Sequence, residues 1–160
     1  RSLSKMSKSI PSSELKLCEN NAIDGVAGHY YHRYKDLEIP CVFKLELPKE
    51  LSVSEIDICL VLSNLLENAL EASMRTAPDK RRITVFARMH SDNVVLIKVE
   101  NFYNGVVKEK NGIFESSKHS GEGIGTQSVR RIAEKGGGYC RFTQKDGIFT
   151  ADVMLRGNSK

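Results

Sequence analysis

The stretch Ser54 to Met74, SEIDICLVLSNLLENALEASM, constrains the fold more than any other part of the chain. It is apolar enough to lie in a core, yet Asp57, Asn64, Glu67, Asn68 and Glu71 interrupt it. At about 100° per residue, Asn64, Glu67, Asn68 and Glu71 fall within an arc of roughly 100°, and Asp57 projects into the same arc. Ile58, Cys59, Leu62, Leu65, Leu66, Ala69 and Leu70 cover the remaining surface. The stretch therefore predicts a helix with a broad buried face and a narrow stripe of oxygen-bearing side chains.

A solvated helix face normally mixes Lys with Glu at i,i+4 spacing. This one has no Lys or Arg before Arg75, although the chain carries a net charge of +4. Uncompensated acid beside two amides suits a hard cation. Mg²⁺ takes oxygen ligands, keeps several waters, and is usually held by one or two protein groups plus substrate phosphates. The stripe thus points to a nucleotide–Mg²⁺ site, with an ordinary amphipathic surface helix as the alternative.

The 160 residues suit one domain with a real core, and a content of 40% hydrophobic and 28% charged residues is that of a globular protein. Cys18, Cys41, Cys59 and Cys140 form no CxxC pair and have no His at metal spacing, so they read as reduced thiols in a cytosolic compartment. No apolar run approaches the length of a membrane span. The basic residues are scattered, without a stripe interleaved with aromatics, which disfavours nucleic acid.

Residues 1–13 are Ser- and Lys-rich and are expected to be a disordered tail or linker remnant, leaving 14–157 as a single domain. Helical spacing from Asn21 to Leu37 predicts a helix capped by Asn20 or Asn21 and stopped by Pro40. Cys41 to Leu47 alternates like a half-buried strand. Beyond the central helix, strands are expected at Ile83–Met89 and Val94–Val99, joined by a turn at His90–Asn93. Residues 102–120 read as a long loop of lid type. A helix is expected from about Ile124 to Lys135, ended by Gly136-Gly137-Gly138. Tyr139–Gln144 and Ile148–Leu155 complete the chain as a hairpin. This order predicts an α+β fold: a two-layer α/β sandwich whose mixed, mostly antiparallel sheet carries its helices on one face.

Gly121-Glu122-Gly123-Ile124-Gly125 falls where the loop meets a helix start. Glycines let the backbone approach an anion, and free N–H groups with the helix dipole favour phosphate. Ser116, Ser117 and Lys118 lie just upstream and could also contact phosphate. Between the motifs, Asn101 ends a predicted strand, where its carboxamide could pair with the amine and a ring nitrogen of adenine.

An Asn-rich helix, a strand-end Asn-x-x-x-Gly, a polar lid and a GxGxG helix start, in that order, resemble the GHKL superfamily of ATP-binding domains. That superfamily includes histidine kinases, gyrase B, the ninety-kilodalton heat-shock chaperone and MutL. The resemblance covers Asn20 to Arg156. Ser63-Asn64-Leu65-Leu66-Glu67-Asn68-Ala69 is similar to the N box, Asn101 to Gly105 to the G1 box, and Gly121 to Gly125 to the G2 box. The Leu-Glu-Leu-Pro run, Asp57-Ile58-Cys59, the Asn64–Ala72 stretch and Val99-Glu100-Asn101 look like the peptide quorum-sensing sensor kinases. Tyr103 stands where the G1 box has its middle glycine, and Thr126 where Leu is commoner.

The resemblance implies a Bergerat fold that binds ATP and Mg²⁺, with Asn68 as the metal ligand and Asn64 near the phosphates. It implies Asn101 and Gly105 in the adenine region, and Lys118, Gly121, Gly123, Gly125 and Thr126 about the lid. The superfamily's ATPases place a Glu one helical turn before the metal Asn. Here that position is Asn64, which cannot act as a base, and Glu67 is the nearest carboxylate. Phosphoryl transfer to a histidine is therefore expected, with Asn64 and Glu67 as the catalytic candidates. An anti-sigma-type serine kinase or a non-catalytic nucleotide-dependent module is the alternative. His29, His32, His90 and His119 all lack the setting of a phosphoacceptor. The acceptor and dimerisation domain, a response regulator partner and a membrane sensor are thus expected outside this chain, in a membrane-bound homodimer whose catalytic domain is cytoplasmic.

Overall fold

In the computed structural model, which describes residues 15–103, 108–110, 113–115 and 120–157, the first helix starts where the sequence supplies a cap. Asn20 Oδ1 accepts a hydrogen bond from the Ile23 amide at 3.0 Å, and helix α1 runs Asn21–Asp36. Its end is a Schellman arrangement: the Ile39 amide donates to the Tyr34 carbonyl at 2.8 Å and the Glu38 amide to Lys35 at 3.0 Å. Glu38 occupies the left-handed position usually given to glycine, with φ 59°. Pro40 follows, and β1 runs Cys41–Glu46.

Helix α2, Glu55–Met74, is capped by Ser54, whose Oγ accepts from the Asp57 amide at 3.2 Å. A 3-10 turn at Pro78–Lys80 leads into β2, Ile83–Ser91, and β3, Val94–Phe102. The expected turn at 90–93 contracts to Asp92 and Asn93, because a register shift between Met89 and Ser91 prolongs β2. Within the region read as a loop, β4 (Lys108–Lys110) and β5 (Ile113–Glu115) pair antiparallel as a separate ribbon. Helix α3 spans Ser120–Lys135, and the hairpin β6 (Tyr139–Lys145) and β7 (Ile148–Arg156) closes the fold. Asp146 and Gly147 both have positive φ, 56° and 80°, as a two-residue hairpin turn requires.

The main sheet has five strands in the order β1-β2-β3-β7-β6. Only β1 and β2 are parallel, and α2 makes the crossover between them. Ile83, Val85 and Ala87, then Val95, Ile97 and Val99, then Ala151, Val153 and Leu155 alternate onto one buried face. Against it lies the apolar side of α2, with Ile58, Val61, Leu62, Leu65, Leu66 and Ala69 all buried, flanked by α1 and α3. Thr84, Phe86, Lys98, Glu100, Thr150 and Asp152 point to the opposite face, where no helix packs among the described residues. The molecule is the two-layer α+β sandwich that the sequence predicted.

The glycines after α3 close it as expected. The Gly138 amide donates to Ala133 at 2.8 Å and the Gly137 amide to Glu134 at 3.1 Å, with Gly137 at φ 90°. A Cβ on Gly138 would run into the Met154 carbonyl, so α3 can turn into β6 only through a residue without a side chain. The four cysteines are free thiols, with Cys18 and Cys140 buried. No helix of the described residues is long and apolar enough to cross a membrane.

Candidate active site

The polar stripe of α2 divides between two neighbours. Asn64 and Asn68 are half-buried, and Asn68 turns toward α3. A Cβ built on Gly125 would stand 3.6 Å from Asn68 Oδ1 and 3.9 Å from its Nδ2. The two motifs that the sequence separates by more than fifty residues thus meet side by side. Gly121, Gly123 and Gly125 all lie in the first turns of α3, whose helix begins at Ser120 rather than near Ile124. Glycine's freedom does not forbid helical geometry; it only lowers its preference. The unpaired amides of this helix start belong to its first residues, about one turn before Gly125, which itself sits beside Asn68. Thr126 is half-buried one residue further on.

Glu67 turns the other way. Its Oε1 accepts from the Tyr30 hydroxyl at 3.0 Å and from Arg33 Nη1 at 3.3 Å, both on α1. Burial, and next the hydrogen bond to Glu67, push the Tyr30 hydroxyl from its usual value up to about 12. One turn on, the Tyr34 hydroxyl donates to the Leu66 carbonyl at 2.7 Å, and burial drives its ionisation well upward. These bonds pin α1 to α2 along the edge of the stripe away from Asn68.

Asn101 lies on β3, the middle strand, between Ile83 of β2 and Phe149 of β7. It is 3% exposed and on the same face as Val99 and Ile97, hence under the helices. Its Nδ2 donates to the Phe102 carbonyl at 3.5 Å. That carbonyl is also reached by Thr76 Oγ1 at 3.4 Å, which donates to Ala72 at 2.8 Å as well. Tyr103, in place of the G1 glycine, is accommodated by bonds to the last hairpin. Its hydroxyl donates to Gln144 Oε1 at 2.7 Å and its amide to the Gly147 carbonyl at 2.9 Å.

Gly105 and Lys118, with Ser116, Ser117 and His119, lie outside the described residues, as does the tail 1–13. His29 and His32 are exposed on α1, and His90 is exposed in β2 rather than in a turn. Among the described residues no three His, Cys, Asp or Glu side chains gather to hold a metal. A hollow of ≈ 470 Å³ on the sheet's outer face is lined by Lys44, Phe86, Leu96, Glu100, Tyr139 and Asp152. It lies behind Asn101, on the wrong side of the strand for the two motifs.

Sequence reasoning missed Ser73 and Thr76, both buried at the end of α2. Their signal was available: Ser73 follows Ala69 by four residues and Leu66 by seven, so it continues the core face as a polar side chain.

The GHKL domain family matches the sequence over residues 53–156. Among solved structures, the nucleotide-free catalytic domain of histidine kinase ThkA superposes with a TM-score of 0.65 at 17% identity, covering 88% of this chain and 94% of that one. Mycobacterial sensor histidine kinase MprB superposes with a TM-score of 0.59 at 17% identity, covering 88% and 96%. ThkA in complex with the response regulator protein TrrA gives 0.60 at 16% identity, covering 86% of this chain and 40% of that one. At such identities the likeness establishes the fold alone. No curated protein sequence matches the chain.

Proposed function

The chain belongs to the GHKL domain family, and we propose that it is the ATP-binding catalytic domain of a two-component sensor histidine kinase. In this reading residues 14–157 form the catalytic unit. It passes the γ-phosphoryl of Mg-ATP to a histidine on a separate dimerisation domain, and a response regulator acts downstream. The observation that carries the reading is the approach of Asn68 to Gly125, which brings an oxygen ligand beside a glycine-rich helix start. The solved complex of histidine kinase ThkA with a response regulator supports the choice of partner. The subfamily of peptide quorum-sensing sensors, and a membrane-bound homodimer as the full-length protein, belong to the same proposal.

The residues fit the cation. Asn68 presents a half-buried amide oxygen beside Gly125. Bound Mg²⁺ would offset phosphate charge. The unpaired amides at the start of α3, about Gly121, donate to the phosphates, Gly123 and Gly125 let the phosphates approach the helix closely, and Lys118, Gly105 and Thr126 are assigned to the lid and the pocket rim. Asn64 orients a phosphate oxygen. Asn101 offers donor and acceptor to the adenine edge. Glu67 keeps its catalytic assignment only through Oε2, since both α1 donors occupy Oε1. Transfer to an external histidine does not require it, because the imidazole is itself the nucleophile and no water needs deprotonation.

A thermal-shift titration tests binding first. Saturating Mg-ATP should add about 3 kcal/mol at roughly 100 times Kd; no shift at millimolar nucleotide would sink the reading. Labelled ATP and the dimerisation domain then test transfer. Acid-labile phosphohistidine is the expected product. Acid-stable phosphoserine on a partner, or binding without transfer, would turn the assignment to a serine kinase or to a nucleotide-dependent interaction module.

A further inference from the structure

Two large apolar side chains stand together in solvent on α2. Ile56 is 72% exposed, more than any other large hydrophobic among the described residues, and Leu60, one turn on, is 47% exposed. Single exposed apolar residues are ordinary, but an i,i+4 pair makes a continuous strip on a helix. The core does not need this pair, because α2 fills it from the other side with Ile58, Val61, Leu62 and Leu65.

Ile56, Leu60, Asn64 and Asn68 follow one another at intervals of four and so form one ridge, of the kind that helices pack into each other's grooves. The first half of the ridge is apolar and bare. The second half holds the two amides of the candidate site, with Asn68 beside Gly125. At about 1.5 Å per residue the ridge spans roughly 18 Å. A helix seated on Ile56 and Leu60 is therefore led straight to the phosphate end. Charge narrows what that helix can be. Helix α2 carries Glu55, Asp57, Glu67 and Glu71 and no Lys or Arg. An apolar stripe with basic flanks complements it, whereas an anionic membrane surface does not. The path of the chain agrees. Asn20 Nδ2 donates to Glu55 Oε2 at 2.6 Å and to the Lys49 carbonyl at 2.9 Å, so the segment leading into α1 passes the first turn of α2. An acceptor joined ahead of this segment is tethered at the apolar end of the ridge.

We propose, resting on the kinase reading above, that the Ile56–Leu60 strip is the docking surface for the helix that carries the acceptor histidine. That helix lays its apolar stripe on Ile56 and Leu60, turns Lys or Arg toward the acids of α2, and presents its histidine about two turns further along, opposite Asn64 and Asn68. The strip holds the acceptor and does not touch the nucleotide. It therefore sets the KM for the acceptor and leaves the rate of transfer from the docked complex unchanged.

The test uses the double variant Ile56→Gln with Leu60→Gln, which places good helix formers at exposed positions. Melting temperature, calorimetric Mg-ATP affinity and phosphohistidine formation are measured, the last on graded concentrations of the acceptor domain of the same full-length protein. Melting temperature and Mg-ATP affinity should match wild type, as should kcat at saturating acceptor. The KM for the acceptor should rise roughly ten- to a hundredfold, the loss expected when two apolar side chains no longer bury. An unchanged KM overturns the proposal. So does weaker Mg-ATP binding, which would put the strip in the nucleotide site, or a lower melting temperature, which would make it structural. Wild-type domain that sediments as a dimer while the variant is monomeric gives the strip to a second copy instead. Binding to phosphatidylglycerol vesicles that the variant loses gives it to a membrane. Wild-type protein that passes no phosphoryl to the acceptor overturns the kinase reading itself, and this proposal with it.

Discussion

Asn68 on α2 and Gly125 on α3 face each other so closely that a methyl group on the glycine would touch the amide, 3.6 Å from Oδ1. The helix pair thereby joins the chain's two polar motifs without a loop between them, on elements rigid enough to hold a ligand in place.

That contact makes the pair a sensitive probe. Asn68→Asp keeps the shape and should keep the fold, but it adds a negative charge where phosphate is expected. Mg-ATP affinity should drop roughly ten- to a hundredfold, the range for a lost hydrogen bond to a charged group. Gly125→Ala makes only an ordinary van der Waals contact and gains helix preference, so its melting temperature should not fall while its nucleotide affinity does. Unchanged calorimetric affinity in both variants would remove Asn68 from the site.

The Tyr30–Glu67 bond predicts a pH dependence. The folded protein raises the Tyr30 hydroxyl from 10.0 to about 12, so the folded state favours the neutral phenol. The associated stability is fully present below the unfolded value and is lost as pH rises through the folded one, between 10.0 and about 12. Tyr30→Phe should cost about 1 kcal/mol at neutral pH and remove its share of the alkaline loss. Denaturant melts at stepped pH, with tyrosinate absorbance as the titration signal, check both.

Glycines divide by what surrounds them. Nothing lies within 4 Å of a Cβ built on Gly25 or Gly28, so Gly25→Ala and Gly28→Ala should each stabilise α1 by about 0.5–1 kcal/mol. Gly138→Ala meets the Met154 carbonyl and should destabilise by about 2–3 kcal/mol. Urea midpoints of the three variants should therefore move in opposite directions.

Glu38 presents the reverse case, a side chain in a glycine's place. At φ 59° it carries left-handed strain at the Schellman position of α1. Glu38→Gly should stabilise by roughly 1 kcal/mol, read from thermal unfolding. A destabilised variant would mean that the Glu38 side chain makes a compensating contact.

Most of the architecture was legible because it is written locally. The cap of α1, which the structure gives to Asn20 of the two candidates Asn20 and Asn21, the alternation of β2, β3 and β7, and the apolar side of α2 each depend on neighbours within a few residues. What stayed hidden depends on partners far along the chain. A helical wheel places Glu67 at one edge of the polar arc but cannot say that Tyr30 and Arg33 stand there to receive it. Ser73 and Thr76 were not singled out, although both are buried at the end of α2. The glycines of 121–125 suggested the end of a loop with a helix starting near Ile124, whereas the backbone winds them into α3 from Ser120, since a low propensity is a cost that surrounding contacts can override. The juxtaposition of Asn68 with Gly125 was expected from the family resemblance; the residues alone gave only two motifs.

The middle strand imposes a rule of parity on any descendant of this sequence. Asn101 reaches the helix side because it stands an even number of steps from Val95, Ile97 and Val99. A single residue added or lost between Val99 and Asn101 would leave a strand still able to zip between its neighbours, yet would rotate the carboxamide out to the bare side of the sheet. Substitution can retune this position, but a frame of one cannot be tolerated, and the strand's length is thus inherited as strictly as its chemistry.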